Sequence, residues 1–248
     1  MKRVLITGAA RRIGRAIAEA FAAEGYAVVV HCHHSSEEAS ALAEDLKQTY
    51  CRPEIRAVSC DLTAADAPAR LMDDVLSDGG LDVLVNNASV YRRGTLASLS
   101  PELLDGDLDI NFRAPFELMR CYRNRCSSGC IINLLDYRVR LADPASAGYA
   151  IAKKALADVS EAAALEWAPS FRVNAIAPGI VIPPEGVPKE RMQRLIDKIP
   201  TRCRTTESDV AKAALFLAET PSVNGQILYL DGGLHLLGAD FLGERRRE

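Results

Sequence analysis

The feature that most restricts the fold of this chain is its regular alternation of short apolar runs with longer stretches of helical period. Runs at 2–6, 27–30, 55–59, 81–85, 130–134, 172–176 and 226–229 read as strands. Between them, 13–24, 36–50, 65–76, 101–122, 146–167 and 208–218 read as helices. The strand-like runs carry apolar residues at consecutive positions, as strands covered on both faces do. Crossovers of helical length between such strands require a parallel sheet. The expected fold is therefore α/β: a single Rossmann-type domain over 1–248, with a doubly wound parallel sheet flanked by helices. The stretch 178–200, with five prolines, is the one irregular insert and reads as a substrate flap.

Composition narrows the setting. A net charge of −3 gives no reason to expect nucleic acid as a partner. The basic run Arg245, Arg246 and Arg247 reads as a solvated tail. Seven scattered cysteines, an odd number, suit a reducing compartment better than a disulfide framework. The chain enters strand-like sequence at once, and no apolar run approaches the ~20 residues of a membrane helix. A cytoplasmic protein is expected.

In a doubly wound sheet, ligands sit outside the carboxyl ends of the strands. The first strand runs into Thr7-Gly8-Ala9-Ala10-Arg11-Arg12-Ile13-Gly14 and then an Ala-rich helix. Gly8 permits a tight turn and Gly14 a close approach of helix to sheet, leaving the helix N-terminus free to face a pyrophosphate. Where the second strand ends, an NAD site usually carries an acidic residue; here the sequence is His31-Cys32-His33-His34-Ser35. Arg12, the imidazoles and Ser35 can instead donate to a 2′-phosphate, which favours NADP(H). His33 and His34 are otherwise ordinary strand-end residues. A metal site is disfavoured, because adjacent His and Cys side chains cannot all point at one ion.

With these motifs the chain resembles the short-chain dehydrogenase/reductase family over almost its whole length. Asp61 and Leu62 match the adenine-contacting turn, and Asn86-Asn87-Ala88-Ser89 stands where the family has NNAG. Asn111 matches the helix-four Asn, Tyr149 and Lys153 the YxxxK pair, Pro178-Gly179 the turn beside the nicotinamide, and Asp231-Gly232-Gly233 the turn after the last strand. Four residues apart on a helix, Tyr149 and Lys153 share a face. A phenol with an ordinary pKa near 10 needs a cation beside it to exchange protons at neutral pH, and Lys153 is expected to lower it. The resemblance implies that Lys153 also holds the nicotinamide ribose, and that Asn111 helps hold Lys153 and a proton-relay water.

Three departures share a direction. Arg12 stands where the family has glycine, Asp136 where it has the catalytic serine, and Ser89 follows Ala88 in place of glycine. This combination is similar to the pteridine and dihydromonapterin reductases, whose phosphate-binding segment His33-His34-Ser35 also resembles. A lone carboxylate at position 136 opposes negative charge developing on a ketone oxygen but favours a protonated C=N bond. Protonated, Asp136 could replace serine as a donor. Tyr91, two residues past Ser89, matches the aromatic residue that sandwiches the pterin in those enzymes, though a packed strand-end Tyr reads equally well.

The expected chemistry is hydride transfer from NADPH to a pterin-like small molecule. Tyr149 delivers the proton, Asp136 and Ser89 meet the ring, and 178–200 closes over it. Arg92 and Arg93 are placed near the mouth. A carbonyl reductase of the 3-oxoacyl-carrier-protein or sugar type is the main alternative, and a non-catalytic NADP(H)-binding protein the more distant one. The resemblance also implies a homotetramer built through the helices of Asn111 and Tyr149. Cys121, Cys126 and Cys130 are spaced irregularly for zinc. Trp167 reads as a packing residue, and His235 as a packing or interface residue.

Overall fold

The computed structural model describes residues 1–181 and 189–237. Seven parallel strands form one sheet: β1 (Arg3–Ile6), β2 (Ala27–Cys32), β3 (Arg56–Ser59), β4 (Val83–Asn86), β5 (Gly129–Leu134), β6 (Phe171–Pro178) and β7 (Ile227–Leu230). Their order is β3-β2-β1-β4-β5-β6-β7, so strand order reverses between β1 and β4, where a crevice opens. The helices are α1 (Arg12–Ala23), α2 (Ser36–Tyr50), α3 (Ala67–Ser77), α4 (Pro101–Leu108), α5 (Ala114–Arg125), α6 (Ala147–Glu166), α7 (Lys189–Asp197) and α8 (Glu207–Glu219).

The central strands are buried on both faces because two separate apolar layers cover them. On one face Ile17 and Phe21 of α1, Leu42 and Leu46 of α2 and Val210 and Leu217 of α8 pack on alternate residues of the sheet such as Val4, Val28 and Val30. On the other, Leu71, Met72 and Val75 of α3, Leu118 and Met119 of α5 and Leu156 of α6 pack on Leu5, Leu84 and Ile131. The edge strands β3 and β7 are only half covered, so consecutive apolar residues there do not signify two buried faces.

The sequence pattern mistakes two features. The single helix expected over 101–122 is α4 and α5 joined by a π-turn, Asp109–Arg113, with Asn111 buried inside it. Such an extra residue in a helix leaves the periodicity of its flanks intact, and so escapes a pattern-based reading. The insert is not irregular throughout: α7 occupies its second half. Residues 182–188 of that flap, and the Arg245–Arg247 tail, lie outside the described residues. No helix among the described residues is long and apolar enough to cross a membrane.

Candidate active site

The candidate residues gather at the carboxyl edge of the sheet, from the loops after the strands, from the π-turn of Asn111 and from α6, and the crevice between β1 and β4 is tightly fastened. The Thr7 hydroxyl accepts from the backbone N–H groups of Asn87 (2.9 Å) and Ala88 (3.0 Å). The Asn87 amide donates back to the Thr7 and Gly8 carbonyls, both at 2.9 Å. Gly8 has a φ of +62°, which glycine adopts without strain. Gly14 serves a closer purpose than helix–sheet contact. A Cβ there would lie 2.6 Å from the Asn87 amide nitrogen, 2.8 Å from Ala9 Cα and closer still to the Gly8 carbonyl oxygen. The N-cap of α1, Arg11, makes no side-chain capping bond, so the amides of the first turn face the crevice ready for an anion.

Arg12 sits at a φ of +54°, the left-handed region where a side chain costs about 1 kcal/mol and glycine nothing. It is exposed, as are His33 and His34, whose rings stack with centroids 3.5 Å apart at the end of β2. Ser35, buried, precedes α2 without capping it. His31 belongs elsewhere. Its Nδ1 accepts from the Gly8 N–H at 3.3 Å, so Nε2 carries the proton and faces the Cys60 carbonyl at 3.2 Å. Burial holds this imidazole down to about 4. It braces the glycine loop and is not available to a 2′-phosphate. Asp61 follows β3, its carboxylate accepting from the Thr63 N–H and hydroxyl and lying 3.8 Å from His33 Nε2. The neighbouring Leu62 is buried among α3 and sheet side chains.

Across the crevice, Tyr149 and Lys153 lie on the inner face of α6. The phenol donates to Asp136 Oδ2 at 3.3 Å, and the Lys153 ammonium, fully enclosed, donates to the Leu134 carbonyl at 2.7 Å. Tyr91, 45% exposed, stands edge-on to Tyr149 with ring centroids 5.1 Å apart. Pro178 ends β6, and the Gly179 N–H donates to the Leu230 carbonyl at 2.8 Å; a Cβ at Gly179 would come within 2.9 Å of Asp231.

Three of the expected residues meet partners that the sequence did not show. The Asn111 side chain is engaged at the Ser89 segment: its amide oxygen accepts from the Ser89 hydroxyl (2.6 Å) and the Val90 N–H (3.3 Å), and its nitrogen donates to the Val90 and Asp107 carbonyls. The π-turn aims it at the Ser89 segment, which it fixes. The phenol is less acidic here than an ordinary tyrosine, with Lys153 close by. Burial and then the Asp136 carboxylate push Tyr149 well above the ordinary tyrosine value, with Arg138 the cation pulling the other way. Burial brings Lys153 itself down to about 8, against the pull of Asp136. Arg92, expected at the mouth, is tied at 2.8 Å to the buried carboxylate of Asp107, while Arg93 is exposed.

Arg138 escaped the sequence reading altogether. Its Nε and Nη2 grip the two oxygens of Asp136, both at 2.8 Å, so the carboxylate is not the lone negative charge assumed from sequence. The only signal was an arginine two residues beyond Asp136, on the turn leaving a central strand, and exposed arginines in such turns are common. His235 pairs with Asp231 at 2.8 Å and stacks on Tyr229, and Trp167 caps α6, half-buried on the adjoining core.

A parallel sheet with a fastened glycine loop at its switch point, facing a buried Tyr–Lys pair, defines a dinucleotide-dependent oxidoreductase. The family model described as Enoyl-(Acyl carrier protein) reductase matches residues 8–235. The 3-oxoacyl-[acyl-carrier-protein] reductase FabG of Staphylococcus aureus is 31% identical over 246 residues, covering 95% of this chain and 98% of that protein. Galactitol 2-dehydrogenase of Agrobacterium fabrum is 31% identical over 258 residues, covering 94% and 96%. Among solved structures, FolM alternative dihydrofolate reductase 1 from Brucella canis, complexed with NADP, superposes with a TM-score of 0.89 at 32% identity, covering 95% of this chain and 94% of that one. Its counterpart from Brucella suis, also with NADP, gives 0.89 at 31%, covering 95% of each chain. The chain belongs to the short-chain dehydrogenase/reductase family.

Proposed function

We propose that this protein is an NADPH-dependent reductase of dihydropterin-like rings. The observation that carries the reading is the carboxylate of Asp136 beside the Tyr149 phenol, where a ketone reductase of this family is expected to have serine, with the exposed ring of Tyr91 edge-on to that phenol. The likeness to two FolM structures, each an NADP complex, supports it.

The residues fit the cofactor. Gly8, Ile13 and Gly14 shape the loop, and the uncapped amides of α1 suit a pyrophosphate. Arg12 keeps a strained backbone where glycine would be relaxed, which is intelligible if its guanidinium meets a 2′-phosphate beside His33, His34 and Ser35. Asp61 and Leu62 would flank the adenine, Asn87, Ala88 and Ser89 would line the central crevice, and Pro178 and Gly179 the far end. NADPH supplies a hydride to an electrophilic carbon. Tyr149 holds the proton that goes to the adjoining nitrogen or oxygen, and Lys153, a buried cation, favours loss of that proton once the substrate is bound. Tyr91 offers a flat face for the ring and Ser89 a hydroxyl at its edge; Asn111 holds that segment. A homotetramer would cover Leu103 of α4 and Ile151 of α6, both partly exposed.

Carbonyl reduction is the second reading, and Arg138 favours it. By offsetting Asp136, the guanidinium removes much of the penalty on a developing oxyanion. Measuring NADPH oxidation with 7,8-dihydrobiopterin and dihydrofolate beside acetoacetyl-CoA separates the two. Turnover of the dihydropteridines at ten or more times the kcat/KM for the thioester is expected; the reverse order would overturn the pteridine reading.

A further inference from the structure

We propose that Arg138 is a positioning residue for the reaction: through Asp136 and Tyr91 it fixes the frame in which Tyr149 meets the substrate, and it supplies the positive charge that offsets Asp136 there. The proposal rests on the reading of Tyr149 as proton donor.

The side chain starts from a 3-10 turn, Tyr137–Arg140, just beyond β5, and folds back over the crevice. Besides its two bonds to the Asp136 oxygens, its backbone N–H donates to the same carboxylate at 2.9 Å. Nη1 donates to the Tyr91 hydroxyl (3.1 Å), Asp143 Oδ2 (3.1 Å) and the Ser146 hydroxyl (3.4 Å). The guanidinium carbon lies 4.9 Å from the Tyr91 ring centroid and 5.7 Å from that of Tyr149, within cation–π range of both. One planar fork thus joins the loops after β4 and β5 to the start of α6, with only 18% of its side chain exposed.

A buried ion pair is no aid to stability by itself, since apolar residues of equal volume do as well or better. What singles out this pair is its place. The Asp136 oxygen that Nη2 grips is the one that accepts from Tyr149. Asp136 unpaired would leave a full negative charge against the phenol, hindering both proton release and any developing oxyanion. Arg138 cancels that charge while leaving the geometry fixed. Other charged or titratable groups facing it are Asp143 before α6, Tyr91 after β4, Tyr137 in its own turn and Tyr149 on α6, while Lys153 feels the same Asp136 carboxylate. Asp143 accepts from the Ser146 hydroxyl and the Ala145 N–H, so it orders the start of α6 whether or not Arg138 is present.

The test is the pH profile of kcat for Arg138→Met and Arg138→Lys, with 7,8-dihydrobiopterin, or with acetoacetyl-CoA if that is the substrate turned over. Removing a fixed positive charge makes proton loss harder for Tyr149 and Lys153 alike, so whichever titrates, the alkaline limb of Arg138→Met moves up, by about one pH unit. Its kcat falls at least tenfold, with the Kd for NADPH unchanged within twofold. Arg138→Lys keeps the charge but not the fork: its limb stays in place while kcat still drops severalfold. Loss of activity in Arg138→Met without movement of the limb would assign Arg138 a merely structural role and overturn the proposal. So would wild-type kcat in Arg138→Lys, which applies even if the methionine variant fails to fold. Failure of the proton-donor reading is seen separately, as retained turnover in Tyr149→Phe with Arg138 intact.

Discussion

Substituting Gly14 by alanine tests whether the glycine loop is held by contact with Asn87, as the structure indicates, or by helix packing alone. The added methyl would stand 2.6 Å from the Asn87 nitrogen, 2.8 Å from Ala9 Cα and nearer still to the Gly8 oxygen. Two of these neighbours are backbone, and the third is a side chain fixed by two 2.9 Å hydrogen bonds, so nothing can yield without opening the loop by roughly 1 Å. Overpacking of this kind costs about 1–3 kcal/mol. Loss of the two Asn87 bonds adds about 1 kcal/mol each, and the better helix propensity of alanine returns about 1 kcal/mol. The net expectation is destabilisation of roughly 2–4 kcal/mol, which a domain of this size survives. Because the displaced loop is also the proposed pyrophosphate cradle, the Kd for NADPH should rise more than tenfold. Equilibrium urea unfolding and NADPH fluorescence titration measure both. Gly80→Ala is the control, since a Cβ there meets nothing within 4 Å. If Gly14→Ala matched that control in stability and in NADPH affinity, the description of the loop would be wrong.

Two further outcomes follow from the same site. Arg12→Gly relaxes a strained backbone at the cost of greater freedom in the unfolded chain, so stability should stay within about 1 kcal/mol of wild type, while the preference for NADPH over NADH falls at least tenfold in parallel titrations. His31, held neutral by burial with a pKa of about 4, ordinarily titrates near 6.5; between those values the unfolded chain takes up a proton that the folded protein refuses. Its contribution is therefore complete above about pH 6.5 and lost as pH falls towards 4, amounting to roughly 3 kcal/mol. Urea unfolding of wild type and His31→Gln at pH 7 and pH 4.5 should show a smaller acid loss in the variant, and equal losses would remove His31 as the cause.

The layer architecture was legible because it depends on local periodicity: the buried runs in β1, β2 and β4 and the amphipathic crossovers allow no other sheet. The Tyr149–Lys153 pair was legible for the same reason, since helical spacing alone puts both on one face. What stayed hidden depends on contacts distant in sequence or on small departures from regular backbone. The π-turn that redirects Asn111 changes the geometry by a single residue. His31 looked like its neighbours His33 and His34, yet it still lies within β2, which is buried on both faces, and there Gly8 and the Cys60 carbonyl take both ring nitrogens, whereas His33 and His34 lie past the strand's end in solvent. Arg138 is the most consequential omission. Reading Asp136 as an isolated carboxylate made the sequence argue more sharply against carbonyl substrates than the folded site does, because the cation that offsets it was read as ordinary turn sequence.

The Tyr149 hydroxyl is the proposed source of the transferred proton, and Tyr149→Phe isolates that single atom. NADPH affinity, followed by nicotinamide fluorescence, should remain within twofold of wild type, because the ring and Lys153 are untouched, while turnover of the preferred substrate falls by at least a thousandfold, about 4 kcal/mol of barrier. A phenylalanine variant that binds NADPH normally and still reduces substrate at a tenth of the wild-type rate or faster would contradict it.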